Sequence, residues 1–158
     1  MLGDGFDVGN MTPVRLPHTV KETPLHYFDE SVYQMVSGYR RDVYIPEEWK
    51  GKRLLLTIDG AAHESEVYWN GKKIGEHHCG YTAFTMDISD DAVYGIRNTL
   101  VVKVDSRESV NIPPFGFVID YMTYGGLYRE VWLDIKEKIY LKDVFLSLIH
   151  ISEPTRLQ

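Results

Sequence analysis

The Asn70-Gly71 pair constrains this chain more than any other feature. It sits inside EVYWNGKKIGE, between two strand-like runs. Asn and Gly both accept the positive φ values of a type I′ turn, so the pair joins two antiparallel strands tightly. A chain with such a hairpin near its centre is committed to antiparallel sheet.

The other short runs fit that commitment. Residues 38–46 (GYRRDVYIP) read as a strand stopped by Pro46, which has no amide hydrogen for a ladder. Residues 53–59 (RLLLTID) follow a Lys-Gly-Lys turn and place Leu54, Leu56 and Ile58 on one face. Residues 83–88 and 99–104 continue the series, separated by the polar turn segment SDDAVYGIRN. Residues 127–135 (LYREVWLDI) and 139–146 (IYLKDVFL) close it. No window of 12 or more residues carries a convincing helical period, which argues against a parallel α/β fold. Short strands between turn signals predict an all-β, antiparallel sandwich.

Composition narrows the function classes. A net charge of −6 without a Lys/Arg run argues against nucleic acid, whose binding requires clustered cations. No apolar stretch approaches the roughly 20 residues of a membrane span. The N-terminus shows no basic start and no apolar core of a secretory signal. Cys79 is the only cysteine, so no internal disulfide forms. These features lead us to expect a cytoplasmic setting. Aromatics at 13% suit a β-rich core or a surface that stacks on sugar rings, and the core is the simpler reading.

Two stretches break the rhythm. The first 30 or so residues are irregular and carry Pro13, Pro17 and Pro24. Residues 106–126 form a long excursion between two good strands. Loops of this length are uncommon in compact domains and are often functional. This one is rich in aromatics and poor in acids, so it is expected to be ordered.

Five segments, in order, resemble the sugar-binding N-terminal domain of glycoside hydrolase family 2. They are LPHTV (16–20), GYRRDVYIPEEWKGKR (38–53), the run from Ile58 to Ser89, NTLVVKVD (98–105) and YGGLYREVWL (124–133). The resemblance implies a jelly-roll sandwich of the galactose-binding type over residues 1–146. It also implies a following immunoglobulin-like domain and a (β/α)₈ barrel in the same polypeptide. In the family, the barrel carries the acid/base and nucleophile glutamates of a retaining mechanism, which needs two carboxyls about 5–5.5 Å apart. Such a barrel takes about 250 residues, so the catalytic pair is expected outside this chain and the isolated chain is expected to be inactive.

The implied function is the substrate-side domain of an exo-β-glycosidase acting on a β-glycoside, with β-galactosidase ahead of β-glucuronidase. The alternative is a free-standing carbohydrate-binding module. The family's long loop reaches into the barrel, and an aspartate six residues before the Gly of the Gly-φ-x-Arg motif contacts the sugar. Here that position is Asp120, six before Gly126. An ionised carboxylate there accepts charge-assisted hydrogen bonds from vicinal hydroxyls. Tyr121 and Tyr124 would offer a ring face or a hydroxyl. In some β-galactosidases the matching aspartate helps hold a monovalent cation, but the other ligands come from the barrel, so no cofactor is expected in this chain. One departure stands out. Some members carry an Asn just before the Gly of the first strand motif; this chain reads YQMVSGYRR there, with Met35 three before Gly38.

Other groupings read more simply as structure. His77, His78 and Cys79 are adjacent, point to alternate faces of a strand end, and do not converge on one ion. Asp87 reads as a structural acceptor. Trp69 and Trp132 lie on strands, and both are expected in the core. Arg129 is expected to anchor a loop or form an ion pair. The last stretch, 147–158 (SLIHISEPTRLQ), does not resemble the family. It looks like translated sequencing-adapter sequence, and native sequence is expected to end near Ser147.

Overall fold

The computed structural model describes residues 10–22, 29–112 and 123–146. They form two antiparallel sheets packed face to face. The strands are β1 (Val36–Ile45), β2 (Arg53–Ile58), β3 (Glu64–Trp69), β4 (Lys72–His77), β5 (Phe84–Asp87), β6 (Ile96–Asp105) and β7 (Val131–Lys136). One sheet has the order β1-β6-β3-β4 and the other β5-β2-β7. Apart from the β3–β4 hairpin, successive strands pass between sheets, and each hydrophobic face closes on the opposite one.

Burial follows the pleat. In β2, Leu54, Leu56 and Ile58 are buried while Arg53, Leu55 and Thr57 are half-buried. In β3, Ser65, Val67 and Trp69 point inward. Central β6 contributes Leu100, Val102 and Val104, and pairs with both β1 and β3 over long registers. Ile45, Ile88 and Leu127 complete the same core. Each such side chain contributes on the order of 1.5–3 kcal/mol by leaving water.

The hairpin forms where the Asn-Gly pair predicts it. Asn70 has φ 50° and Gly71 φ 82°, the two positive values that the turn needs. Asn70 also ties the turn to β6. Its backbone N–H donates to the Thr99 carbonyl, and its side-chain oxygen accepts from the Thr99 amide, both at 2.8 Å.

Two expectations are corrected. Residues 139–146 do not form a strand. Ile139, Leu141, Val144, Phe145 and Leu146 are all exposed, and no described strand lies beside this segment. An alternating pattern without a ladder partner leaves its backbone groups to water. Trp132 is also not in the core: it is 52% exposed. On β7 the inward positions are Val131, Leu133 and Ile135, so period-2 alternation turns Trp132 outward. Trp69, at 1% exposure, is core as expected. No helix among the described residues is long and apolar enough to cross a membrane.

Candidate functional site

The described ends of the long 106–126 segment meet at one residue, Ala62. At the first end, Ser106 Oγ donates to the Ala62 carbonyl at 2.7 Å, and the Ser106 amide donates to the Met35 carbonyl at 2.9 Å. At the second end, Ala62 and Gly126 exchange backbone hydrogen bonds, at 3.1 Å and 3.4 Å. The Ala62 carbonyl therefore accepts from both ends of the loop.

The LPHTV segment seals the second end. The His18 amide donates to Leu127 O at 2.8 Å, and the Val20 amide donates to Gly125 O at 3.0 Å. Tyr39, on β1, reaches under the same point. Its hydroxyl accepts from the Leu127 amide at 3.3 Å and shares a 2.9 Å hydrogen bond with His18 Nδ1. Burial pushes the Tyr39 phenol above its ordinary pKa, with the Leu127 amide opposing.

Glycine is required here by space as well as by φ. Gly126 has φ 101°, and a Cβ there would overlap the Tyr39 hydroxyl. A Cβ on Gly125 would stand 2.6 Å from Ser106 Oγ. The two glycines let the returning chain lie directly on β1 and on the loop's own first residue.

Charge at the root is compensated. Asp105 takes two hydrogen bonds from the Arg107 guanidinium, at 2.9 Å and 2.6 Å. Those bonds hold its carboxyl below the usual range against the opposing effect of burial. His63 is buried, and its amide donates to Asp105 O at 2.9 Å. Burial holds the imidazole below its ordinary pKa, while Glu108 and Asp105 pull it up. Its Nδ1 finds no hydrogen-bond partner among the described residues.

Of the three sugar-contact residues expected from sequence, Tyr124 is described. It is 41% exposed and meets the buried Tyr33 edge to face, with ring centroids 5.9 Å apart. The contact braces the ring while the residue keeps access to solvent. Asp120 and Tyr121 lie outside the described residues, as does the middle of the excursion, 113–122, which was expected to be ordered. Tyr39, His18, His63 and Ser106 were not singled out by sequence reasoning. The signal for His18 was present, because LPHTV was one of the five matching segments. The others depend on contacts between residues far apart in sequence.

The remaining groupings behave as structure. His77 stacks on Phe84 at 4.3 Å, whereas His78 turns toward Glu64 and Glu76, at 3.8 Å and 3.5 Å. The described residues include no group of three or more His, Cys, Asp or Glu placed to hold a metal. Asp87 accepts from the Ser89 amide at 3.0 Å and from Arg53 at 2.8 Å, as a structural acceptor would. Arg129 lies over the Tyr128 ring and donates to the Tyr81 carbonyl at 3.3 Å. The Tyr128 hydroxyl donates to the Gly80 carbonyl. This pair therefore anchors the turn after β4.

Residues 4–136 match the family described as "Glycosyl hydrolases family 2, sugar binding domain". The chain belongs to glycosyl hydrolase family 2. Within it, a β-galactosidase of Thermoanaerobacter pseudethanolicus is 45% identical over 149 residues, which is 94% of this chain and 20% of that protein. A β-glucuronidase of Bacteroides fragilis is 38% identical over 130 residues, covering 82% of this chain and 18% of that one. Among solved structures, β-glucuronidase 2 of Bacteroides uniformis, covalently bound to cyclophellitol-6-carboxylate aziridine, superposes with a TM-score of 0.72. It is 36% identical and covers 84% of this chain and 15% of that chain. This family 2 chain spans about a fifth of the length of the relatives it matches.

Proposed function

We propose that the chain is the N-terminal, substrate-side domain of a retaining exo-β-glycosidase of the cytoplasm, with β-galactosidase favoured over β-glucuronidase. The observation that carries this reading is the 45% identity to a β-galactosidase across nearly the whole chain but only a fifth of that protein. The catalytic carboxylates then belong to the (β/α)₈ barrel in the other four-fifths, beyond an immunoglobulin-like domain. The sandwich occupies residues 1–146, and 147–158 is a tail foreign to it.

In this reading the domain contributes geometry rather than proton transfer. The root at Ala62, Gly126 and Tyr39 sets where the loop leaves the sandwich. Asp120, with Tyr121 and Tyr124, meets the glycon hydroxyls. Asp120 accepts charge-assisted hydrogen bonds, each worth on the order of 1.5–3 kcal/mol when water is excluded.

The test compares two proteins. The complete polypeptide from the native gene is expected to hydrolyse nitrophenyl β-galactoside faster than nitrophenyl β-glucuronide. The 158-residue chain alone is expected to hydrolyse neither. Turnover by the isolated chain would overturn the assignment of the chemistry to another domain. A preference for the glucuronide would reverse the sugar.

A further inference from the structure

The outer face of the three-stranded sheet carries an arrangement that the loop does not use. Trp132 is 52% exposed there, and its indole N–H donates to Asp59 Oδ2 at 2.6 Å. That bond fixes the orientation of the ring. Trp132 pairs across the ladder with Thr57, which in turn pairs with Thr85. Directly paired residues share a face, and the two threonine hydroxyls are joined at 2.8 Å. One row therefore runs threonine, threonine, indole across β5, β2 and β7, with the Asp59 carboxylate beside the indole.

This is the chemistry that recognises a pyranose. The sugar's C–H face is apolar and flat enough to lie on an indole. Its equatorial hydroxyls point outward and donate to acceptors at the ring's rim. Asp59 has a second oxygen for such a hydroxyl, and a charged acceptor roughly doubles the strength of the bond. Asp134, on the same outward face of β7, is balanced by Lys136 at 4.0 Å, so the Asp59 carboxylate sets the charge beside the ring. A sugar bearing its own carboxylate is therefore disfavoured.

We propose that the outer face around Trp132, Asp59 and Thr57 is a second carbohydrate contact, taking a neutral β-linked pyranoside. It rests on the reading above only in that the polypeptide meets β-glycosides. It differs from the Asp120 loop because every group it uses lies within this chain's sandwich. The isolated chain therefore has one sugar contact that needs no barrel.

The experiment is ligand-detected NMR on the 158-residue protein, titrated with lactose and separately with methyl β-glucuronide. Lactose is expected to bind saturably and the glucuronide more weakly. Trp132→Ala is expected to weaken lactose binding at least about tenfold, which a single ring contact can supply. Trp132→Phe is expected to lie between. Asp59→Asn is expected to weaken lactose and narrow its advantage over the glucuronide. Because Trp132 is exposed, an unchanged unfolding temperature in Trp132→Ala will show that the sandwich is intact. No saturable lactose binding up to about 100 mM, or equal binding by wild type and Trp132→Ala, would overturn the proposal. An unchanged lactose-to-glucuronide ratio in Asp59→Asn would remove Asp59 from it. None of these results alters the reading of the complete polypeptide, which is judged by turnover.

Discussion

The Asn70-Gly71 hairpin and the Gly125-Gly126 loop root both rely on glycine with positive φ, yet they are built on different terms. At Gly71, with φ 82°, nothing stands within 4 Å of where a Cβ would go. The turn is set by its own dipeptide and by Asn70's bonds to Thr99. At Gly126, with φ 101°, the Cβ position is filled by Tyr39, with Val20 and His18 close behind. The root is set by residues 64 to 108 positions away in the chain. A local turn tolerates a poor residue at a fixed conformational cost. A junction of four segments passes its error to whatever it holds, and here it holds the loop bearing Asp120.

That contrast predicts an ordering of stability losses. Gly126→Ala is expected to cost most, about 2–4 kcal/mol, because strain at positive φ adds to an overlap with a packed tyrosine. Tyr39→Phe leaves the buried Leu127 amide without its acceptor and is expected to cost about 1–3 kcal/mol. Gly71→Ala carries the φ penalty alone, about 1 kcal/mol. Urea titrations of the three variants check the series. If Gly71→Ala proved as costly as Gly126→Ala, the distinction between a local turn and a packed junction would fail.

The smallest effect is on pH dependence. His63 sits beside Ala62 at the root and is buried in a form that resists protonation, with Glu108 and Asp105 as the acids nearest it electrostatically. Below its unfolded value near 6.5 the unfolded chain binds the proton more readily than the folded one. Stability from this residue is therefore present above that pH and is lost as pH falls through it. Between pH 7 and 6 the loss is expected to stay under about 0.7 kcal/mol. His63→Gln is expected to flatten this slope. A steeper fall in the variant than in wild type would contradict the assignment.

Much of the fold was legible because its signals are local. Pro46 stopped β1 at Ile45, and the alternation of Leu54, Leu56 and Ile58 named the inward face of β2. The same alternation, read for its phase, would have turned Trp132 outward, since Val131 and Leu133 flank it. Aromatic character alone misled. Residues 139–146 carry as good a pattern as 127–135, but only the latter contains a strand with a partner, β7 on β2. A pattern states what a segment would do beside a ladder, and not whether the ladder is there. The root was legible only through resemblance. Ser106, Ala62 and Tyr39 are unremarkable residues in sequence, and their role arises where three connections cross.

The central claim is that this sandwich positions a loop carboxylate against the substrate of a catalytic domain elsewhere in the polypeptide. Its most direct test is the kcat/KM of Asp120→Ala in the complete polypeptide, measured on nitrophenyl β-galactoside. Loss of a charge-assisted contact predicts a fall of at least about tenfold, with the unfolding temperature unchanged. A kcat/KM within about twofold of wild type would contradict the claim.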